Sequence, residues 1–245
     1  MKEFEKLEHR IIAEALGLMD HHLLTANKCW FGGGTAIVMK FGEYRRSLDV
    51  DFLCADADGY RELRTHAVQR GIRAFFPEPV EAVRDFQIDQ YGFRTVVRLQ
   101  GQPIKFEVIR EGRIQLQGHF DNDLKVPVLV AEDMFAEKLL ANADRCQDRA
   151  TAYRDAIDLG ILIGIHGRIP AQARVKAQTA YGADIQNKVA WVANKLQDQD
   201  ELRNAAEVLQ MNPDVATKAI SALRDEGIRL WPDAGILSGV VDRQG

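Results

Sequence analysis

The sequence predicts an α+β protein in which a mixed sheet flanked by helices is followed by an all-helical C-terminal domain. Apolar and polar residues alternate along residues 84–110, and turn residues divide that stretch, as is typical of hairpin-connected strands. After Pro127 the chain becomes rich in Ala, Leu, Glu and Lys, which favour helices. We therefore expect an α/β domain over residues 1–120 and a helical domain over residues 121–245.

The α/β domain is expected to begin with a helix over residues 4–25, because its apolar residues recur at every fourth position. A short apolar strand over residues 29–31 then leads to a helix over residues 35–40. The next strand is expected at residues 48–52, and a second helical stretch follows Asp58. The hairpin strands of residues 84–110 complete the predicted sheet.

The second domain is expected to be built from helices alone. Their predicted spans are 130–143, 151–165, 171–179, 184–196, 201–209 and 214–224. The last of these opens on Asn212-Pro213, a capping residue followed by proline at the first helical position. The tail from Trp231 is rich in Gly and Asp, which predicts a loop.

Composition limits the possible classes of function. The net charge of −4 argues against a uniformly basic nucleic-acid coat, and the 46% hydrophobic content suffices for a packed core. Cys29, Cys54 and Cys146 lack the spacing of metal ligands and are expected to be free thiols in a reducing compartment. The N-terminus has no signal-peptide core, and no apolar run is as long as a membrane span. We therefore expect a cytoplasmic protein.

The strongest functional signal lies in residues 46–52, Arg-Ser-Leu-Asp-Val-Asp-Phe. Alternate side chains of a strand share a face, so Asp49 and Asp51 are expected to point together while Val50 and Phe52 enter the core. Two carboxylates about 4 Å apart repel by roughly 4 kcal/mol at an effective dielectric constant near 20. A cation normally offsets that repulsion, and Mg²⁺ is the common candidate. The alternative is a solvent-exposed strand edge.

A glycine turn precedes these carboxylates. Gly32, Gly33 and Gly34 separate an apolar strand from a helix that starts at Thr35. Such a turn leaves backbone N–H groups available to phosphate oxygens, and glycine lets a ligand approach the backbone closely. The Thr35 hydroxyl is a further donor. Together, the turn and the paired carboxylates indicate a phosphate-transfer site.

Both features resemble those of the nucleotidyltransferase superfamily. Residues 33–37 (Gly-Gly-Thr-Ala-Ile) and residues 46–52 are similar to the first motif of the AbiEii/AbiGii toxin family, minimal nucleotidyltransferases of bacterial toxin–antitoxin and abortive-infection systems. The resemblance implies a nucleotidyltransferase-type fold whose helical domain completes the site. It also implies transfer of a nucleoside monophosphate from an NTP to an acceptor hydroxyl. Asp49, Asp51 and a third acid would then hold two Mg²⁺ ions.

Three later stretches resemble further motifs of this family. Glu107, in Lys-Phe-Glu, matches the third acidic metal ligand, which comes from a neighbouring strand. Lys138 lies in an Ala-x-Lys-Leu helix and is implied to neutralise the triphosphate as a point charge. The Arg-Asp-x-x-Asp-Leu stretch contains Asp155, which the family motif treats as functional, and Asp158. Because Arg154 and Asp158 are four residues apart on a helix, we expect an ion pair between them.

The same residues also have purely structural interpretations. Lys105 and Glu107 could form a surface pair, and Lys138 could be a long charged side chain that covers an amphipathic helix. Arg46 is expected either to bind a phosphate through both terminal nitrogens or to brace the carboxylates. Ser47, next to it, is expected to contact the nucleotide.

The residues alone leave the acceptor open. The resemblance favours tRNA, because AbiEii-like toxins are similar to enzymes that add nucleotides to tRNA 3′ ends. A protein hydroxyl and a small molecule such as an aminoglycoside are the other choices. A non-catalytic NTP-binding module is the alternative from a different class of function. The resemblance further implies a cognate antitoxin protein as a partner.

Overall fold

The computed structural model describes residues 3–78 and 80–238, which form two compact units. An α/β unit comprises Met1–Glu43 and Ser47–Met134, and a helical unit comprises Tyr44–Arg46 and Phe135–Gly245. The predicted α+β fold is confirmed: the sheet is mixed, and the later part of the chain is helical. The domain boundary at residue 120 stays a prediction.

Four complete α-helices and eight strands lie in the α/β unit, among the described residues. The helices are α1 (Leu7–Gly17), α2 (His21–Ala26), α3 (Gly33–Lys40) and α4 (Ala57–Arg70). The strands are β1 (Cys29–Gly32), β2 (Val50–Cys54), β3 (Glu81–Ala82), β4 (Gln87–Ile88), β5 (Gly92–Leu99), β6 (Gln102–Arg110), β7 (Gly118–Asp121) and β8 (Val126–Leu129).

The strands form one sheet in the order β3-β5-β6-β2-β1-β8-β7, and β4 also pairs with β5. The pairs β1–β2 and β5–β6 are antiparallel, whereas β2–β6 and β1–β8 are parallel. Strand β2 therefore lies between β1, which precedes the glycine turn, and β6, which comes much later in the chain. This arrangement brings three separate sequence motifs to neighbouring strands.

One face of the sheet is covered by aromatic side chains. Rings of Phe52 and Phe106 lie 6.0 Å apart between centroids, and Phe75 lies 5.4 Å from Phe106. Phe31 and Phe93 extend the same fully buried cluster. Offset and edge-on ring pairs stabilise such a core beyond the burial of their area. Because side chains alternate along a strand, this packing directs Asp51 and Glu107 to the opposite face.

The sequence-based prediction of one helix over residues 4–25 is wrong, because α1 ends at Gly17 and α2 begins at His21. The Asp20 carboxylate accepts a hydrogen bond from Leu23 N at 2.9 Å, so it caps a new helix instead of continuing the old one. Strands β7 and β8 were not predicted from the sequence. Strand β8 lies next to β1 in the sheet, and β7 lies beyond β8.

The helical unit is built from the predicted helices. Helix α5 (Ala131–Arg145) begins in the α/β unit and continues into the helical unit. It is followed by α6 (Arg154–His166), α7 (Ala171–Tyr181), α8 (Asp184–Lys195), α9 (Gln199–Val208) and α10 (Pro213–Leu230). Gly160 packs directly on the Ala219 carbonyl, so α6 and α10 approach closely where glycine has no side chain. Among the described residues, no helix is long and apolar enough to cross a membrane.

Candidate active site

The glycine turn brings backbone into contact with one of the paired carboxylates. Gly33 is the first residue of α3 and has a φ of +68°, a conformation that favours glycine. A Cβ atom added to Gly33 would lie only 2.8 Å from Asp51 Oδ2. Glycine is therefore required at this position both for the backbone conformation and for the space that the Asp51 carboxylate occupies.

The strand pairing places Asp51 between the glycine turn and Glu107. In the antiparallel pair β1–β2, Asp51 lies opposite Gly32, and in the parallel pair β2–β6 it lies opposite Glu107. Neighbouring strands are about 4.8 Å apart, so these two carboxylates project side by side from one face. Asp49 lies just before β2 and is partly exposed. The buried Val50 and Phe52 agree with the expected alternation.

Two cations lie beside Glu107. Lys105 Nζ is 2.6 Å from Glu107 Oε2, and Arg94, opposite Glu107 on β5, has its Nε 3.5 Å from Oε1. Partial burial alone would lower the pKa of Lys105. The hydrogen bond to Glu107 and the charges of Glu107, Asp51 and Asp49 outweigh that effect, and the pKa is raised. The charges of all three carboxylates that are expected to bind metal therefore raise the pKa of Lys105.

The donor chemistry of these three acids fits Mg²⁺, which prefers carboxylate oxygens. The described residues nevertheless hold no cluster of three or more Asp, Glu, His or Cys side chains arranged to bind an ion. One Glu107 oxygen pairs with the Lys105 ammonium instead. The three carboxylates fit a metal site in which Lys105 would compete with the ion for Glu107 Oε2.

The segment that leads to Asp49 is held by hydrogen bonds within the α/β unit. Thr35 Oγ1 lies 2.8 Å from Ser47 Oγ, so the two hydroxyls that are expected to contact the nucleotide are hydrogen-bonded to each other. The Ser47 carbonyl lies 3.1 Å from Nε2 of the fully buried His9. His9 Nδ1 in turn lies 2.7 Å from Glu43 Oε1. Helix α1 thus fixes the backbone just before the carboxylates.

Sequence reasoning missed His9 and Glu43. Burial would raise the pKa of Glu43, but hydrogen bonds from Glu5 N, His9 and Lys6 N hold it below its usual value. The sequence did contain a signal for His9. It lies on the apolar stripe of α1, three residues before Ile12, where an imidazole needs buried partners.

The helical unit contains a buried network of charges. Both carboxylate oxygens of Asp158 accept from Arg45, at 2.7 and 2.8 Å, and Tyr44 donates its hydroxyl proton to Oδ1 at 2.7 Å. Lys138 Nζ lies 2.8 Å from Asp158 Oδ2 and 2.9 Å from Asp155 Oδ1. Arg145 completes the network by donating to both oxygens of Asp155.

Charge pairing outweighs burial in setting the pKa values of the carboxylates and of Arg45 in this network. Burial alone would raise the pKa values of Asp155 and Asp158, but Lys138 and the arginines hold both below the usual range. Burial would likewise lower the pKa of Arg45, yet Asp158 raises it. The pKa of Tyr44 is well above its ordinary value, because burial and the Asp158 charge both oppose ionisation.

The network places Lys138 and Asp155 together, as two of the predicted site residues. The expected pair between Arg154 and Asp158 is wrong, because Asp158 faces the interior and binds Arg45, Tyr44 and Lys138 instead. Arg45, which is 2% exposed, was not among the predicted site residues, whereas its neighbour Arg46 was. Arg46 itself is exposed and donates its backbone N–H to the Leu209 carbonyl at 2.9 Å.

Two solved structures from Helicobacter pylori share this fold. One, described as a candidate nucleotidyltransferase, is 16% identical, with a TM-score of 0.54 over 94% of this chain and 97% of that one. The other, JHP933, is 17% identical, with a TM-score of 0.52 over 96% of this chain and 97% of that one. No curated protein sequence matches the chain significantly.

The family model of the nucleotidyl transferase AbiEii toxin, of Type IV toxin–antitoxin systems, matches residues 18–229. That span contains the glycine turn, the three carboxylates and the buried charge network of the helical unit. The resemblance noted in the sequence is therefore confirmed, and the chain belongs to the AbiEii family of nucleotidyltransferases.

Proposed function

We propose that this nucleotidyltransferase transfers a nucleoside monophosphate from an NTP to an acceptor hydroxyl and releases pyrophosphate. The observation that carries this proposal is the position of Asp51, which contacts the Gly33 backbone on one side and lies opposite Glu107 on the other. The glycine turn and a pair of carboxylates thus lie together at one end of β2. Transfer of a phosphoryl group needs such a combination of N–H donors and metal-binding oxygens.

In this reaction the acceptor oxygen forms a bond to the α-phosphorus while the bond from that phosphorus to the bridging oxygen breaks. Pyrophosphate leaves, and the hydroxyl proton passes to a carboxylate and then to water. The backbone N–H groups of Gly33 and Gly34 bind and orient the triphosphate, with the hydroxyls of Thr35 and Ser47 beside them. The phosphate-binding role expected of Arg46, whose side chain is exposed, stays a prediction.

Asp49, Asp51 and Glu107 are the residues that would hold the divalent cations, and two Mg²⁺ ions would supply charge neutralisation and a more acidic acceptor hydroxyl. The Lys105 ammonium would compete with an ion for Glu107 Oε2 and would add positive charge beside the carboxylates. The roles that the family resemblance implies for Lys138 and Asp155 stay predictions, because both side chains are already engaged in the buried network.

The proposed acceptor is tRNA, on the basis of the family resemblance. A protein hydroxyl and a small molecule are the other acceptors to be tested. Because the family carries toxins of Type IV toxin–antitoxin systems, we further propose that a cognate antitoxin restrains this enzyme in a bacterial host.

The test is incubation of the protein with each α-labelled NTP, Mg²⁺ and total RNA or cell lysate. We expect label to be incorporated, to disappear with EDTA and to return with added Mg²⁺. An Asp49→Asn/Asp51→Asn variant should lose incorporation. Asp58→Asn, at an exposed position of α4, is the matched control and should keep it. Persistent labelling by the double variant would overturn the assignment of these carboxylates.

The nature of the product separates the acceptors. Label that is removed by RNase and resists protease supports tRNA, whereas protease-sensitive label rejects it in favour of a protein. Label that stays in the small-molecule fraction indicates the third acceptor. If NTP with Mg²⁺ stabilises the protein against heat but no label is transferred to any acceptor, the protein is a binding module.

A further inference from the structure

A cavity of about 540 Å³ lies in the α/β unit, lined by residues that the transfer reaction does not use. Such a volume is within the range of small-molecule sites, about 300 to 1,000 Å³. Its apolar lining is formed by Trp30, Leu116 and Val130, and its polar lining includes Lys28, Asp56 and Gln117. We call it the Trp30 pocket.

Trp30 lines this pocket, and its indole carries a buried donor. Trp30 is 8% exposed, and its Nε1–H has no hydrogen-bond acceptor among the described residues. A buried N–H without an acceptor is unfavourable, and such groups in native proteins are nearly always satisfied by protein, water or ligand. A ligand with an acceptor atom next to an aromatic or apolar surface would satisfy this donor.

The wall around the indole is held in place before any ligand binds. A Cβ atom on Gly118 would collide with Cδ2 and Cε3 of Trp30, so the glycine backbone packs directly on the ring. The neighbouring Gln117 donates its backbone N–H to Asp133 Oδ2 at 2.6 Å and accepts from Val130 N at 3.1 Å. These bonds fix the Gln117 backbone while its side chain remains on the exposed rim.

The pocket and the carboxylates lie on the same face of the sheet. In the pair β1–β2, Trp30 is opposite Leu53 and Gly32 is opposite Asp51. Because residues two apart in a strand share a face, the Trp30 side chain projects from the face that carries Asp51. The spacing along β1 from Trp30 to Gly32 is about 7 Å. The Trp30 pocket and the proposed transfer site therefore lie along one face of β1.

We propose that the Trp30 pocket binds a nucleobase, an inference that rests on the proposed nucleotidyl transfer. A base is planar, fits against Leu116 and Val130, and offers a carbonyl oxygen or ring nitrogen to Trp30 Nε1. Its edge can also bond to the Gln117 amide, since amide side chains pair with base edges through a donor and an acceptor. The ion pair of Lys28 and Asp56, 2.8 Å apart at the rim, adds charges for the sugar-phosphate and for an exocyclic amine.

The direct test is the indole ¹⁵N–¹H NMR spectrum of the full chain without Mg²⁺. The chain has three tryptophans, so three indole signals are expected, and Trp30→Phe identifies the one of interest. We expect AMP, CMP, GMP, UMP or unlabelled tRNA to shift the Trp30 signal in a saturable manner. Gln117→Ala should weaken that binding about fivefold, the effect of one modest hydrogen bond. Gln172→Ala, at an exposed position of α7, is the matched control and should leave it unchanged.

The same titration with the Asp49→Asn/Asp51→Asn variant separates this proposal from the proposed reaction. Retained shifts there, without transfer activity, support the pocket independently of the chemistry. The source of the base follows from steady-state kinetics: Gln117→Ala raises the KM for NTP if the base belongs to the donor, and the KM for the acceptor if it belongs to the RNA. If none of these ligands shifts the Trp30 signal, or if Gln117→Ala and Gln172→Ala behave alike, the nucleobase site is refuted.

Discussion

The guanidinium of Arg45 holds both carboxylate oxygens of Asp158, and the two residues are separated by more than a hundred positions in the sequence. Arg45 is 2% exposed and Asp158 is fully buried. The segment Tyr44–Arg46 belongs to the helical unit through such contacts, although the residues on both sides of it belong to the α/β unit. The buried charge network therefore accounts for the assignment of Tyr44–Arg46 to the helical unit.

Removal of the acid from this pair should destabilise the protein strongly. Asp158→Asn leaves Arg45 buried with a neutral partner, and we expect the free energy of unfolding to fall by about 3 to 5 kcal/mol. The control is Asp200→Asn, which breaks an exposed ion pair with Arg203 and should cost less than about 1 kcal/mol. Urea unfolding followed by circular dichroism measures both. Equal effects of the two substitutions would contradict the importance of burial.

The network also predicts a loss of stability in acid. The pKa values of Asp155 and Asp158 in the folded protein lie below their ordinary value near 3.8, so their stabilising effect is complete above that value. It is lost as the pH falls from about 5 through 3.8 towards the lower folded-state values. Urea midpoints at pH 6, 5, 4 and 3 should therefore decline. Asp155→Asn should give a shallower decline, and an identical slope would argue against its lowered pKa.

Lys138 offers a test of structural against catalytic function. Lys138→Met keeps much of the side-chain volume but removes the ammonium between Asp155 and Asp158, so we expect a loss of about 3 kcal/mol in the free energy of unfolding. Following the family resemblance, we also expect the folded variant to lose transfer activity at low temperature. Lys138→Arg separates the two effects: restored stability without restored activity supports a catalytic lysine. Full activity of the folded Met variant would make the role purely structural.

Gly33→Ala should impair activity beyond its effect on stability. The alanine would have to adopt a positive φ, and its Cβ would lie only 2.8 Å from Asp51 Oδ2. Gly71→Ala is the matched control, because Gly71 has a φ of +59° and nothing within 4 Å of the added Cβ. We expect both variants to lose about 1 to 2 kcal/mol of stability. Only Gly33→Ala should reduce kcat, by about 100-fold, because a displaced carboxylate misplaces the reacting groups. A normal kcat would separate the glycine turn from catalysis.

Lys105→Gln should lower the Mg²⁺ concentration that gives half-maximal activity. The lysine binds Glu107 Oε2 at 2.6 Å and competes with a cation for that oxygen. Removing a pair of this strength should shift the midpoint about threefold to fivefold. Arg98→Gln, which breaks the ion pair with Glu81 in the same sheet, is the control and should not shift it. An unchanged or raised midpoint for Lys105→Gln would show that Glu107 does not bind the metal.

Local patterns were sufficient for part of this structure. The glycine turn at Gly33, the strand around Asp51 and the helices after residue 130 follow from turn chemistry, alternation and helix propensity, which depend on residues close together in the chain. The break between α1 and α2 also has a local cause, the Asp20 cap. It was not predicted, because the apolar stripe continues through both helices. The short strands β7 and β8 carry too little alternation to be distinguished from a loop.

The sequence by itself determined the α+β class, the glycine turn and the paired carboxylates of the first motif. Only the tertiary structure decided that Glu107 lies opposite Asp51, that Lys105 takes one of its oxygens, and that Arg45 rather than Arg154 binds Asp158. The physical reason is that burial and strand register are set by contacts between distant segments. A charge whose partner lies far along the chain leaves no periodic signal near itself, and its pairing emerges only when the core excludes water.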